Sequence, residues 1–242
     1  MPTEDRMMTT MLRPELGTLP PRLQRLPVDE RGYPVPWFVA WVKRGTMESV
    51  PSETPGAIPE FRAMDQHKWV RAIREDRCWV CGDILGAYKT FVIGPMCGIN
   101  RTTTEPPCHL DCAKWSAANC PFLSRPQMVR RDNDGLLART IANVAGEPIT
   151  RNPGVTLLWT TKRFQVWPDD QSKPLIAVGA PTAVRWYAEG RPATRAEVEA
   201  SVESGYPLLA KVALDQDREE GGTGARDELD RRRQWLEARY PS

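Results

Sequence analysis

The sequence predicts an α+β fold, and three observations carry that prediction. Short aromatic and β-branched runs of strand length recur in both halves of the chain. Between them stand explicit helix starts, Asp65 and the Thr194-x-x-Glu197 capping box. All six cysteines and one of the two histidines fall between Cys78 and Cys120, so the ligand-competent side chains share one stretch.

Residues 1–27, rich in Pro, Arg and Thr without a sustained period, are expected to form a flexible N-terminal arm. Residues 36–42 (PWFVAWV) read as a strand, and Pro51, Pro55, Gly56 and Pro59 make 45–59 a loop. Asp65 caps a helix running to about Arg77, with Trp69, Val70 and Ile73 on its inward face. That helix leads directly into Cys78. Tyr88 to Gly94 supplies a strand, with Gly86 and Gly94 bounding a hairpin-like excursion. Pro106 and Pro107 then set 108–112 as the first turn of a helix that continues over 113–118. The polar stretch 130–154 carries a short helix at 136–144.

In the second half, 155–161 and 164–167 read as the two strands of a hairpin, and 174–178 and 183–187 as two more. The capping box opens a helix carrying Val198 and Val202, which Gly205 and Pro207 are placed to end. A further short helix is expected at 208–214 and a linker at 219–224. Residues 226–239 form a charged helix with only Leu229, Trp235 and Leu236 to bury, expected to be solvated or weakly docked. The expected organisation is an arm at 1–27, a metal-binding region at 28–150, a small α+β region at 151–214, and a linker with a charged helix at 215–242. The two middle regions have few large apolar residues each, which leaves room for a shared core.

No apolar run approaches the roughly 18 residues needed to cross a bilayer, and the N-terminus lacks the apolar stretch of a signal peptide. The expected setting is therefore cytoplasmic and reducing, with no membrane partner. There a Cys-x-x-Cys pair is a metal or redox feature rather than a structural disulfide. A formal charge of +2 demands no polyanionic partner by itself.

Cys78-Trp-Val-Cys81-Gly82 has the form of a zinc knuckle: two thiolates converge from a tight turn, and Gly82 accepts the backbone geometry of the exit. Residues three or four apart share a helix face, so His109 with Cys112, or Cys108 with Cys112, can close a tetrahedron. The favoured ligands are Cys78, Cys81, His109 and Cys112, with Zn²⁺ as the cofactor. Cys97 and Cys120 are spare thiols that either pack or substitute for a ligand. A closed four-ligand site stabilises the fold and leaves no open position for catalysis.

A knuckle, a hairpin and a helix donating ligands from its first turn resembles the treble-clef zinc folds, which include the HNH nucleases; the resemblance covers roughly 78–118. More widely, the strings WVCG, FVIGPMC, EPPCH and GRPATRAEVEAS resemble a family of uncharacterised bacterial and phage-type proteins. That second resemblance implies a coherent fold after Trp37 and no particular activity.

Two function classes follow. The leading one is a zinc-stabilised protein that binds another macromolecule, nucleic acid or protein, in an accessory or regulatory role. Its candidate phosphate contacts are Arg71, Arg74, Arg77, Lys89, Arg101, Arg130 and Arg131, interleaved with Trp69, Trp79 and Trp115. The alternative is an HNH-like nuclease, in which His67 would have to be the general base, because His109 is a ligand. A zinc deaminase is excluded: neither histidine heads His-x-Glu, and Pro107-Cys108 is followed by a cysteine one residue too late. No P-loop, dinucleotide fingerprint or nucleophile elbow is present.

Overall fold

The computed structural model describes residues 12–46, 48–125, 152–169 and 171–242. Over these the chain is mixed α+β. The helix expected at 136–144 and the first part of the expected arm lie outside the described residues, as do Arg130 and Arg131. Two 3₁₀ turns (Pro14–Leu16 and Leu23–Arg25) open the chain, followed by β1 (Val39–Lys43), β2 (Ala57–Met64), α1 (Gln66–Arg74), β3 (Lys89–Ile93) and α2 (Pro95–Asn100). Next come β4 (Thr102–Thr103), α3 (Leu110–Asn119), α4 (Pro121–Ser124), β5 (Thr156–Thr161), β6 (Phe164–Pro168), β7 (Pro174–Val178), β8 (Pro181–Ala188) and β9 (Arg191–Pro192). Two helices close the chain, α5 (Arg195–Glu220) and α6 (Gly224–Glu237).

The organising element is an antiparallel sheet in the order β3-β5-β8-β9. Side chains alternate across a strand, so its register sorts residues between two faces. Val92, Leu158 and Arg185 pair in one row and Thr90, Thr160 and Ala183 in another, all on one face. Phe91, Trp159 and Val184, and Ile93, Leu157 and Trp186, occupy the opposite face. The first face is covered by the cysteine region and α3, through Val80, Leu85, Ala113 and Ala117. The second is covered by α2, α5 and α6, through Met96, Ile99, Val198, Val202, Leu229 and Leu236. Two smaller sheets, β1-β2 and β4-β7-β6, flank this sandwich.

Because β3 pairs with β5, the regions expected at 28–150 and 151–214 share a sheet and a core. The four strands expected in the second half are present, but β5 and β6 are not partners. β5 lies between β3 and β8, and β6 pairs with β7. Residues 57–59, expected as the end of a loop, begin a strand that runs on to Met64 and pairs with β1.

The helix expected to stop at Gly205 runs on to Glu220 as α5. Gly205 is buried there for contact: a Cβ would lie 3.0 Å from Met96 of α2. Pro207 lies on the exposed side, where the carbonyl it deprives of a donor can meet water. The expected linker is a tight turn. Gly221 takes the left-handed conformation (φ +73°), and the buried Asp217 accepts from the N–H groups of Ala225 and Arg226 at 2.7 and 3.1 Å. α6 is thereby docked rather than solvated, with Leu236 fully buried. No helix among the described residues is long and apolar enough to cross a membrane.

The expected arm is also packed from Leu16 onward: Leu19 and Leu23 are buried beside the cysteines.

Candidate metal centre

Cys78, Cys81, His109 and Cys112 converge: their ligand atoms all lie within 4.8 Å of one another. Local sequence accounts for the convergence. The chain turns at 78–82 with the Gly82 N–H donating to the Cys78 carbonyl at 2.8 Å, and Gly82 adopts φ +79°. A Cβ at Gly82 would stand 2.8 Å from the Trp37 ring, so the glycine is required by both conformation and space. The Cys78 N–H donates to the Asp83 carbonyl at 2.7 Å and the Trp37 N–H to the Val80 carbonyl at 2.7 Å, which fixes the knuckle against its neighbours. Phe38 stacks on Trp79 with centroids 4.9 Å apart, closing the apolar side.

The other two donors come from the start of α3, where His109 is the N-cap and Cys112 lies three residues on, in the first turn. Cys108 hydrogen-bonds in both directions with Thr90 of β3 through the backbone, which sets the height at which α3 begins.

The distances suit a tetrahedral cation. Zinc–ligand bonds of the usual length give an S···N edge of about 3.6 Å and an S···S edge of about 3.8 Å. Cys81 Sγ and His109 Nδ1 are 3.5 Å apart. The second ring nitrogen of His109, Nε2, stands 3.1 Å from the Ile84 carbonyl. As a donor there it leaves Nδ1 unprotonated and aimed at the cluster, the usual support for a ligating imidazole. The N–H groups of Cys81 and His109 donate to Cys78 Sγ, both at 3.4 Å.

Electrostatics fits the same assignment. Burial opposes charge on Cys78, yet hydrogen bonds from Cys112, Cys81 and two backbone N–H groups outweigh it and hold that thiol well below its ordinary value. Hydrogen bonding with Cys78 and Cys81 pushes Cys112 upward instead, because three thiolates so close repel one another. A cation among them removes that repulsion and lets all three ionise. Hydrogen bonding to Cys81 raises His109, favouring a proton on Nδ1 that a bound cation would displace.

The remaining cysteines separate cleanly. Cys108 is 2% exposed, its thiol donates to the Thr90 carbonyl at 3.2 Å, and burial pushes its pKa well up. It is therefore a packed thiol, which decides between His109 and Cys108 in favour of His109. Cys97 packs against the opposite core, where burial raises it to about 11. Cys120 ends α3.

Two arginines from the expected arm brace the centre. Arg22 donates to Asp111 in the first turn of α3 at 3.0 Å, and Arg25 pairs with Asp83 at the knuckle's exit. Sequence reasoning missed both.

The predicted basic set does not gather into one patch. Arg71 and Arg77 both pair with Glu75, and their hydrogen bonds, Arg71's first, hold that carboxylate at about 2. Lys89 faces Asp76 at 3.6 Å. Arg74 is exposed. Arg101 leaves the phosphate-contacting set: its half-buried guanidinium lies 4.6 Å from the Trp159 centroid and 4.4 Å from that of Trp235, on the sheet face opposite the cysteines. Cation–π stacking there outweighs exposure. His67 is exposed in the first turn of α1, where its N–H donates to the Asp65 cap at 2.9 Å.

A cleft of about 790 Å³ opens beside the centre, bordered by residues 84–88, the start of α3, and β5 and β8. No family model, curated protein or solved structure matches the chain.

Proposed function

We propose that this chain is a zinc-stabilised macromolecule-binding protein in which a closed, treble-clef-like site sets a binding surface, with nucleic acid the partner. The observation that carries the reading is the convergence of three thiols and one imidazole within 4.8 Å, with the second nitrogen of that imidazole at a backbone carbonyl. Soft sulfur donors with one imidazole select zinc among the common divalent ions. Four protein donors complete its tetrahedron, so the ion's contribution is to fold the knuckle onto α3. The order of knuckle, strand and ligand-bearing helix supports the treble-clef likeness.

The test is elemental analysis of purified, unchelated protein together with titration of labelled DNA and RNA at several salt concentrations. One zinc per chain and a salt-dependent affinity are expected. Absence of stoichiometric metal removes the first half of the reading; absence of affinity at low salt removes the second. No observation among the described residues favours the nuclease alternative over this one.

A further inference from the structure

We propose that the cleft beside the metal centre holds single-stranded nucleic acid, its phosphates on Arg22 and Arg185 and a base against Tyr88. The proposal deepens the nucleic-acid reading above and rests on it. At about 790 Å³ the cleft has the size of an ordinary ligand site.

Its wall has the chemistry of an anion carrying a flat apolar body. Arg185 stands on the cysteine-bearing face of β8 and lines the cleft, and its Nη1 is buried with no hydrogen-bond partner among the described residues. A buried guanidinium N–H without an acceptor is costly, so little holds the Arg185 head inward, and turned into the cleft it meets in a phosphate oxygen both the acceptor and the opposite charge. Arg22 lines the same cleft. One of its nitrogens is committed to Asp111, and that pair neutralises the cleft's carboxylate. The lining keeps the one net positive charge of Arg185, and Arg22 keeps further N–H groups to donate to a phosphate oxygen.

The apolar part is equally specific. Tyr88 is 55% exposed and Ile84 58%, both beside these arginines. The ammonium of Lys162 lies 5.4 Å from the Tyr88 centroid and adds positive charge at that rim. Arginines beside an exposed ring are how single strands are held: the backbone follows the cations and unpaired bases stack on the aromatic face. An acidic peptide would use the cations and leave the ring without a role. A duplex keeps its bases stacked inside and cannot use the ring at all.

The experiment uses the full chain with its metal and fluorescein-labelled oligothymidylate and oligouridylate of about twelve nucleotides. Two phosphate contacts predict a log–log salt slope of about −1.4. Tyr88→Ala should weaken binding roughly tenfold, while Tyr88→Phe keeps it, because stacking and not the hydroxyl is used. Arg185→Gln should weaken binding and flatten the slope by about 0.7. If Arg185→Gln loosens the sheet, the exposed Tyr88 and Ile84 still carry the test, since substitution there leaves the core untouched. Single-strand binding that Tyr88→Ala and Ile84→Ala leave within about twofold of the parent overturns the cleft assignment and spares the nucleic-acid reading. Failure of both oligonucleotides to bind overturns the two together. Binding of a polyglutamate peptide with the same variant dependence, in place of the oligonucleotides, assigns the cleft to a protein partner and likewise overturns this occupant.

Discussion

The two faces of the central sheet are closed by different physics. On one, α2, α5 and α6 bury Phe91, Leu157, Trp159, Trp186 and Leu236 in a large apolar cluster. On the other, the cover is a short knuckle and one helix, and the buried residues are mainly small: Cys78, Val80, Cys108, Cys112, Ala113 and Ala117, with leucines at 19, 23, 85 and 158. Burial of large side chains holds the first face without help. The second buries too little for that and places its polar sulfurs where an apolar core would otherwise be. A cation held by the four donors would account for the difference, since one ion can tie together segments that pack weakly alone. The face that could hold the ion is also the one that carries the cleft.

The largest expected effect breaks this comparison at the metal. Cys81→Ser should abolish stoichiometric metal binding and lower thermal stability far more than Cys97→Ser, whose thiol only packs against the apolar core. Structural zinc contributes on the order of 10 kcal/mol in small zinc modules, well beyond the effect of one packed thiol. Hydrogen exchange sharpens the result. After chelation, the amides of Cys81, His109 and Ala113 should lose protection before those of Leu157 and Leu236. Equal, small shifts for both cysteine variants would contradict the ligand assignment. Simultaneous loss of protection on both faces would show that the shared sheet couples them into one unit.

The two faces were not equally legible in the sequence, for the same reason. The ligands follow from local spacing: a Cys-x-x-Cys turn ending in glycine, and a histidine three residues before a cysteine at a helix start, are short-range patterns. Their chemistry narrows the choice to a few side chains. The opposite face is assembled from distant contacts. Gly205 and Pro207 carry the local signature of a helix end, yet Gly205 is set by its contact with Met96, more than a hundred positions earlier. The pairing of β3 with β5 places the two expected regions in one sheet, and nothing local to either strand encodes the partner. Arg101 looked like a phosphate contact because composition cannot reveal that Trp159 and Trp235 enclose it. Leu19 and Leu23 were hidden by the prolines and arginines around them.

A smaller effect tests the apolar face alone. Leu236 is fully exposed to the core and not at all to solvent, at 0%. Leu236→Ala should cost about 3 kcal/mol, from lost burial and the cavity left behind. For a chain of this size that is a fall of about 6–12 °C in Tm. Metal content should stay at one ion per chain, because the substitution lies across the sheet from the ligands. Loss of metal together with stability would mean that the helical face is what holds the knuckle in place.

The smallest effect concerns the start of α5, which delivers Val198 and Val202 to that same core. Thr194 Oγ1 accepts from the Glu197 N–H at 3.4 Å, and the Glu197 carboxylate accepts from the Thr194 N–H at 2.7 Å. Thr194→Ala should cost about 1 kcal/mol. Hydrogen bonds to Glu197, Arg191's first and then those from Thr194, hold its carboxyl at about 2. A carboxyl depressed in the fold contributes stability that is complete above its unfolded value of about 4.3 and fades as pH falls toward the folded value. Thr194 Oγ1 also donates to the Glu197 carboxylate at 2.9 Å, a bond that only the parent can lose on protonation, so denaturant midpoints measured from about pH 5 down to about pH 2 should draw together for parent and Thr194→Ala. Midpoints that stay a constant distance apart across that range would mean that the bond from the Thr194 hydroxyl to the carboxylate contributes nothing to the cap.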